Sequence, residues 1–593
     1  MARLRTSNGC AAALVFLFAT TALADTITIG PNGINSVGLG TGAGVVIGQV
    51  ERFRPGDAEA GDDLAHRNTT TNPAGVFEQN GFVPPDSLAV MNHAQEVAGV
   101  MISTDATDGT APPEVVNGIA PTGVATGASL YSSAYITDGI NPGYQDAILT
   151  FQFIADIAGM RAVNHSWGKP IDGGEPLDGS SLLTLGFDWS VRRHNVLHIV
   201  AGNEGNMTPV PKDNYNGMTI GRSAKDANGV YRLVSSENTY DEDAAGDRTS
   251  IALIAPGDDI ELTGLGNAHA IRNGSSFAAP HVTGTVALLQ QNAVTTNSRR
   301  PQVMKAVLMN SADKIKDIIG MQRTVLKQGG GDWFGTDAQS DPNIPLDIAM
   351  GTGHLNASRA SQQFNAGEFG LGGVPLIGWD WGTQNDPFIA NTYRISLAQG
   401  DFVSATLVWD REVFLNSGEL DYTPGDGFTD LGFANLDLYL VPAGLDISQA
   451  VAASTSTAQN VEHIFASVPF GGNYEVAVTI GEFTEVPYAI AWWAGADARA
   501  ALGDFNGDGS VNAADYVVWR KTDGSPEGYD EWRANFGNTS GSGSLASVPE
   551  PSGLMLLAFG VTPVRFRRIA PARDAASSIV AKNPSQTARR LAV

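Results

Sequence analysis

Short apolar runs alternate with segments of helical spacing over residues 44–366, and this alternation constrains the fold more than any other feature. The apolar runs end in glycine or polar turn residues, as strands do: VVIGQV (45–50), AVNHSWG (162–168), VLHIVAGN (196–203), MTIGRSA (218–224) and IALIAPG (251–257). Residues 145–160 and 187–195 have apolar side chains at helical spacing. Strands separated by helices predict an α/β fold, with a parallel sheet and helices on both faces. Functional groups of such a sheet belong at the carboxyl ends of its strands.

The pattern changes after residue 370 to short alternating runs separated by turn-rich loops, among them FVSATLVWD, LDLYLVPA, YEVAVTI and YAIAWWA. Because 593 residues exceed what one core supports, we expect a separate β-sandwich domain over residues 368–498. Binding of substrate or matrix is open as its role, as is simple packing.

The N-terminal residues 1–24 read as a secretory signal peptide. Two arginines precede an apolar run at 11–19, and the small-residue site Ala-Leu-Ala follows at 22–24. The single cysteine, Cys10, lies inside this segment. The mature chain should therefore contain no disulfide.

The charge of the chain argues against two classes of partner. A formal net charge of -26 makes nucleic acid and anionic membrane surfaces unfavourable partners. A solvated acidic surface explains most of this charge.

The stretch IRNGSSFAAPHVTG at 271–284 carries the strongest sign of chemistry. A polar loop ends at the two serines and apolar residues at helical spacing follow, so Ser276 should lie at a helix N-terminus with Pro280 in the first turn. Free backbone N–H groups and the positive end of the helix dipole meet there. A hydroxyl in that place can attack a carbonyl while a neighbouring N–H holds the oxyanion. The alternative is a serine that only caps a buried helix.

Two further residues would complete such a site. Asn203 ends the strand at 196–203, where its carboxamide could donate to the same oxyanion. His93 begins a helical segment with small residues and could act as general base. Taken separately, Asn203 could be a turn residue and His93 a core or surface histidine. Their occurrence together with Ser276, in this chain order, favours a catalytic set.

The motifs around these residues resemble those of the subtilisin-like serine proteases, the subtilases. NGSSFAAPHVTG is similar to the nucleophile motif, HAQEVAG to the motif of the base and AGNEG to the oxyanion motif. The resemblance implies a serine endopeptidase acting on proteins or peptides, with Ser276 as nucleophile, His93 as base and Asn203 as oxyanion donor. It places the catalytic domain at 25–367 and assigns the pairing of the substrate backbone to Ser166, Trp167 and Gly168.

The acid is where this chain departs from the family. The family's first strand ends in aspartate, whereas this strand runs VVIGQVERF and offers Glu51. The order acid, base, serine is kept, and a glutamate can still accept the imidazole N–H. Its extra methylene displaces the carboxylate by about an ångström, and such a misplacement can cost roughly 100-fold in rate. Glu51 is the predicted acid; the alternatives are a surface Glu51 paired with Arg52 and either no acid or one of Asp57, Asp62 and Asp63.

The loop DFNGDGSVNAAD at 504–515 has the spacing of a calcium loop, with Asp in place of the final Glu. The module at 501–538 resembles the first half of a type I dockerin. The predicted Ca²⁺ ligands are Asp504, Asn506, Asp508, Ser510, Asn512 and Asp515. The second half of the module lacks matching ligands, so we do not expect cohesin binding. A plain Asn-Gly and Asp-Gly turn is the alternative.

The C-terminal residues resemble a sorting signal. A Gly/Ser linker at 539–547 leads to VPEP, an apolar run and three arginines within 548–568. This segment resembles the PEP-CTERM signal of secreted bacterial envelope proteins, which implies processing by an exosortase-type enzyme. The apolar run is short for a bilayer span. A basic tail at 569–593 follows, and a disordered tail is the alternative for both segments.

These features predict a secreted or envelope-associated, monomeric serine endopeptidase whose chemistry needs no cofactor. One alternative is a subtilase scaffold that has lost its acid and acts as an extracellular matrix or binding protein. Another is a dockerin-bearing component of a polysaccharide-degrading assembly.

Overall fold

The fold is taken from a computed structural model of the 593-residue chain. The structure describes residues 34, 36, 39–56, 71–78, 90–104, 122–136, 143–170, 177–202, 209–225, 231–233, 248–265, 269–314, 336–495, 511–522, 528–529, 532–533 and 536–537. The chain divides into two compact units, Met1–Ala546 and Ser547–Val593, and every described residue lies in the first. The predicted signal peptide, linker, sorting segment and basic tail lie outside the described residues.

A mostly parallel sheet forms the first half of the described chain. Its strands are β1 (Val46–Glu51), β2 (Gly75–Glu78), β3 (Ser129–Ala134), β4 (Met160–His165), β5 (Leu197–Ala201), β6 (Met218–Lys225), β7 (Tyr231–Leu233) and β8 (Ile251–Pro256). The order is β2-β3-β1-β4-β5-β6-β7, with β8 paired to β6. Only β6 and β7 pair antiparallel among these strands. The hairpin β9 (Ile260–Thr263) and β10 (His269–Arg272) follows.

Helices cover both faces of this sheet, so the α/β fold predicted from the sequence is confirmed. The helices are α1 (Asn92–Ile102), α2 (Tyr144–Ala155), α3 (Leu182–His194), α4 (Ser275–Gln290), α5 (Pro301–Asn310), α6 (Asp337–Ser340) and α7 (Ala357–Ala366), with a 3₁₀ turn at Asn297–Arg299. Helices α1 and α4 share one apolar core, and α2 and α3 share another on the opposite face. Among the described residues, no helix has the length and apolar character needed to cross a membrane.

Helix α3 begins earlier than the predicted segment 187–195. Ser181 precedes it in extended conformation, and its hydroxyl accepts the N–H of Thr184 at 3.2 Å. This side chain satisfies one of the free donors of the first turn, so the helix can start at Leu182. Asn195 ends the helix in the left-handed conformation, with φ of 55°.

The second half of the described chain is a β-sandwich. Its strands are β11 (Gly372–Gly373), β12 (Ile377–Gln384), β13 (Asn391–Leu397), β14 (Phe402–Trp409), β15 (Val413–Leu415), β16 (Phe428–Asp430), β17 (Leu436–Pro442), β18 (Ala452–Ser454), β19 (Val461–Ser467), β20 (Gly472–Ile480) and β21 (Val486–Gly495), with a 3₁₀ turn at Ile447–Gln449. One sheet has the order β11-β13-β20-β17-β18 and the other β12-β21-β14-β19, while β15 and β16 form a separate hairpin. The two larger sheets enclose their own apolar core. A further helix, α8 (Ala513–Thr522), lies beyond the sandwich.

The sandwich also shares the core of the parallel sheet. Trp379, Val408 and Ala491 are buried in the same cluster as residues of α1, α4 and α5. Apolar packing therefore continues across the predicted boundary between residues 367 and 368.

A buried ion cluster adds to this contact. Arg411 follows β14, and its guanidinium lies 3.3 Å from Asp188 on α3 and 2.6 Å from Asp430 on β16. It also donates to the carbonyl of Gly179 at 2.7 Å. The side chain of Asp188 is fully buried, so this carboxylate depends on a sandwich residue for its counter-charge.

Candidate active site

Three elements of the first half carry the predicted catalytic side chains. Glu51 is the last residue of β1, at the carboxyl edge of the sheet. His93 is the second residue of α1, and Ser276 is the second residue of α4. The parallel arrangement aims the ends of β1, β4 and β5 at one edge, where such a sheet presents its functional groups.

Glu51 and His93 contact each other through their side chains. Glu51 Oε2 lies 3.2 Å from His93 Nδ1, and the two side chains are 2% and 29% exposed. Burial lowers the pKa of His93, whereas the charge and hydrogen bond of Glu51 raise it, and the net direction is upward. The other carboxylate oxygen, Glu51 Oε1, is buried and accepts no hydrogen bond within the described part of the chain.

This contact also fixes what the other ring nitrogen can do. When Nδ1 carries the hydrogen and donates it to the carboxylate, Nε2 is left with a free lone pair. The imidazole ring lies against Phe277, with ring centroids 5.6 Å apart. Since Phe277 is the neighbour of Ser276 in α4, this packing places His93 beside the turn that carries Ser276.

The end of β4 holds the turn that carries Ser276. Pro280 has no N–H, so the carbonyl of Ser276, four residues earlier, lacks its usual helical donor. The hydroxyl of Ser166 donates to that carbonyl at 2.6 Å, and Asn164 Nδ2 donates to the same hydroxyl at 2.9 Å. The sequence predicted Pro280 in the first turn of this helix, and that prediction is wrong. Pro280 is the sixth residue of α4, and Ser166 satisfies the carbonyl that it leaves free.

The hydroxyl of Ser276 makes its hydrogen bond to the same strand. Ser276 Oγ donates to the carbonyl of Ser166 at 3.4 Å, and within the described residues it makes none to His93. Ser275 Oγ points elsewhere and donates to the carbonyl of Gly202 at 2.7 Å. The two adjacent serines are thus tied to the ends of two neighbouring strands.

The predicted substrate strand follows β4 directly. Trp167 is 7% exposed and packs on Tyr135, with ring centroids 4.7 Å apart. Its indole is therefore covered, and residues 166–168 offer mainly backbone to a ligand. After them, the N–H of Lys169 donates to the carbonyl of Val210 at 2.8 Å.

Several predicted residues lie outside the described part of the chain. They are the oxyanion donor Asn203, the alternative acids Asp57, Asp62 and Asp63, and the calcium ligands Asp504, Asn506, Asp508 and Ser510. Among the described residues, no group of three or more His, Cys, Asp and Glu side chains is placed to hold a metal ion.

The two remaining calcium-loop residues lie at the start of α8. The side chain of Asp515 is fully buried, and one of its oxygens accepts the N–H of Asn512 at 2.6 Å. Asn512 Oδ1 in turn accepts the N–H of Ala514 at 2.8 Å. These contacts cap the helix and leave the carboxylate of Asp515 facing back to the loop residue 512.

An ion pair beside His93 was missed by the sequence reasoning. Glu96 lies one turn along α1 and is 2% exposed, and Arg272 at the end of β10 approaches it at 2.9 Å. The available signal was a carboxylate three residues after His93, at the start of a helix whose later residues are small or apolar.

Part of this chain is similar in sequence to known proteins. The sequence model of the subtilase family matches residues 63–339, a range that includes positions 93, 203 and 276 and begins after Glu51. Subtilisin E of Bacillus subtilis (strain 168) is 28% identical over 250 residues, covering 41% of this chain and 58% of subtilisin E. The subtilisin of Bacillus pumilus is 27% identical over 224 residues, covering 37% of this chain and 71% of that protein.

Among solved structures, fervidolysin from Fervidobacterium pennivorans, a keratinolytic enzyme related to subtilisin, is similar to this chain. It has 16% sequence identity and a TM-score of 0.40, with coverage of 78% of this chain and 76% of fervidolysin. The chain spans 58% of the length of subtilisin E. Residues 63–339 of this chain are therefore similar in sequence to the subtilases, the family of subtilisin-like serine peptidases.

Proposed function

We propose that this chain is a secreted serine endopeptidase that cleaves protein or peptide substrates through an acyl-enzyme intermediate. The observation that carries the proposal is the 3.2 Å contact between Glu51 Oε2 and His93 Nδ1, on a ring that packs against the residue next to Ser276. A carboxylate in this place holds the imidazole in the tautomer that can accept a proton at Nε2.

The reaction begins with a rotation of the Ser276 hydroxyl away from the carbonyl of Ser166 and toward His93. His93 Nε2 takes the proton as Ser276 Oγ attacks the peptide carbonyl, and the negative charge of Glu51 stabilises the imidazolium. The backbone N–H of Ser276 and the side chain of Asn203 hold the oxyanion. His93 then gives the proton to the leaving amine, and water releases the acyl group by the same steps in reverse.

The substrate backbone pairs with residues 166–168 as an added strand. The burial of Trp167 supports this role, because the side chain is turned into the protein and the backbone is the surface left for recognition. The carbonyl of Ser166, which accepts the Ser276 hydroxyl at 3.4 Å, becomes free when that hydroxyl rotates.

Labelling with a fluorophosphonate probe tests the nucleophile. We expect the wild-type protein to be labelled and Ser276→Ala not to be. Ser275→Ala is the matched control, because it removes the neighbouring hydroxyl, which is bound to Gly202, and it should keep its labelling. An unlabelled wild-type protein would instead favour the non-catalytic scaffold that acts in a matrix or in binding.

Two substitutions test the acid. Glu51→Gln should lower kcat by roughly 10⁴-fold, the loss typical when the triad acid becomes an amide. Glu51→Asp keeps the charge but shortens the reach by one methylene, and we expect a loss on the order of 100-fold. Unchanged turnover in Glu51→Gln would transfer the role to Asp57, Asp62 or Asp63.

Calcium binding and sorting complete the proposal. The loop at 504–515 would bind Ca²⁺ with the six oxygen ligands named above, and the buried carboxylate of Asp515 fits the last of them. Isothermal titration with Ca²⁺ should give one site that Asp515→Asn abolishes.

The signal peptide would direct secretion, and the segment at 548–568 would direct envelope sorting by an exosortase-type enzyme. A cohesin pull-down in calcium should fail; its success would favour the polysaccharide-degrading assembly.

A further inference from the structure

The helix that carries His93 holds a second buried carboxylate. Glu96 lies three residues after His93 in α1, which places both side chains on the same side of the helix. Its carboxylate is 2% exposed and therefore requires a counter-charge.

Arg272 supplies that charge in a forked contact. Arg272 Nε donates to Glu96 Oε2 at 3.1 Å, and the terminal nitrogen Nη2 lies 2.9 Å from Glu96 Oε1. One hydrogen bond and one ion-pair contact thus join the guanidinium to the two carboxylate oxygens, as in the forked pairs by which arginine recognises carboxylates. Arg272 itself is 43% exposed, so the pair lies where a buried helix meets the surface.

A third residue, Asn92, also binds this carboxylate. Asn92 Nδ2 donates to Glu96 Oε1 at 2.6 Å, and Asn92 Oδ1 accepts the N–H of Leu265 at 2.8 Å. The N-terminal turn of α1 is thereby joined to the hairpin of β9 and β10 at two points. Arg272 ends β10, and only Asn273, Gly274 and Ser275 separate it from Ser276.

The charged groups that face His93 in the described part of the chain come from three elements. They are Glu51 on β1, Glu96 on the same helix and Arg272 on β10, while α4 presents the uncharged ring of Phe277. Glu96 raises the pKa of His93 and Arg272 lowers it, so the two oppose each other at the imidazole.

We propose that Glu96 and Arg272 are positioning residues for His93. Their ion pair joins the helix of the base to the segment that leads into the nucleophile, and each charge offsets the other at the ring. This inference rests on the proposed function, since it needs His93 to be the general base. Neither residue contacts the reacting atoms.

Loss of either charge should change the pH profile of kcat/KM, measured on a small uncharged peptide substrate. The pKa of His93 sets the acid limb of this profile, the pH range in which activity falls as the imidazole is protonated. Glu96→Gln leaves Arg272 uncompensated, so the acid limb should move to lower pH. Arg272→Gln leaves Glu96 uncompensated, so the limb should move to higher pH. We expect each shift to be about 0.5 to 1 pH unit, because one nearby unit charge contributes on the order of 1 kcal/mol at the effective dielectric constant of a partly exposed site.

A charge-conserving variant and a control at another ion pair separate a charge effect from a folding effect. Arg272→Lys restores the positive charge and should bring the limb back toward the wild-type position, even where Arg272→Gln folds poorly. Arg359→Gln breaks another ion pair, in which Arg359 is 24% and Asp313 8% exposed, and it should leave the acid limb in place.

Two results would overturn the inference: shifts of the same sign in Glu96→Gln and Arg272→Gln, or no shift in either. A merely structural pair would lower activity at all pH values without moving the limb. Fluorophosphonate labelling separates this failure from failure of the proposed function, because a wild-type protein without a reactive Ser276 would not be labelled at all.

Discussion

A hydrogen-bonded row of buried histidine side chains makes the unfolding free energy of this protein depend on pH. His165 Nε2 lies 2.8 Å from His198 Nδ1, and His198 Nε2 lies 3.0 Å from the hydroxyl of Ser190. The same hydroxyl lies 2.9 Å from His194 Nδ1, and His194 Nε2 is 3.4 Å from Asp156 at the surface. This row of side chains thus runs from the core to the surface.

Its inner end is poorly suited to hold a proton. Burial lowers the pKa of His165 to about 3. Phe151 and Phe187 enclose the ring, and its Nδ1 has no hydrogen-bond partner within the described residues. Burial also lowers the pKa of His198 well below its usual range, with a smaller contribution from its histidine neighbours.

The sign of the effect follows from proton binding. The folded-state pKa of His165 lies below the value of about 6.5 expected in the unfolded chain, so below that pH the unfolded state binds more protons. The stability contributed by the neutral ring is complete above pH 6.5 and is lost as the pH falls toward 3. Between pH 7.5 and pH 5, His165 alone should cost about 2 kcal/mol of unfolding free energy.

Urea unfolding of wild type and His165→Gln from pH 7.5 to pH 5 measures this contribution, in a Ser276→Ala background that prevents self-digestion. Glutamine keeps a polar partner for His198 and does not titrate, so the stability gap between the proteins should narrow by about 2 kcal/mol as the pH falls. Titrating groups that do not interact with His165 are common to both proteins and cancel. A gap that stays constant or widens toward pH 5 would refute the reasoning.

Two further predictions concern a buried ion pair and the packing of α4. Arg411→Met removes the ion-pair contact of the buried carboxylate of Asp188, so urea unfolding should show a loss of about 3–5 kcal/mol. Arg394→Met breaks an exposed pair in the sandwich and should cost at most about 1 kcal/mol; equal losses would contradict a special role for the buried pair. Gly284→Ala would place a methyl group 2.6 Å from the Cβ of Val124, and thermal unfolding should show a loss of about 1–3 kcal/mol. An unchanged melting temperature would mean that α4 moves aside freely.

The sequence by itself determined the order of strands and helices and the identity of the candidate nucleophile. Apolar runs, turn residues and the small residues around Ser276 are local patterns, and local patterns record which face of an element is buried. The parallel sheet, its helices and the sandwich could therefore be predicted. The start of α3 could not be placed, because the capping hydrogen bond of Ser181 has no periodic signal.

The tertiary structure decided which distant side chains meet. Glu51 could be chosen over the neighbouring aspartates only as a hypothesis, because its distance to His93 depends on how α1 packs over the sheet. The Ser166 hydrogen bond that replaces the missing donor of Pro280 and the forked contact between Glu96 and Arg272 likewise join separate elements. Such contacts depend on strand register and on how helices pack against the sheet. The local sequence around a residue does not show which distant residue it will contact.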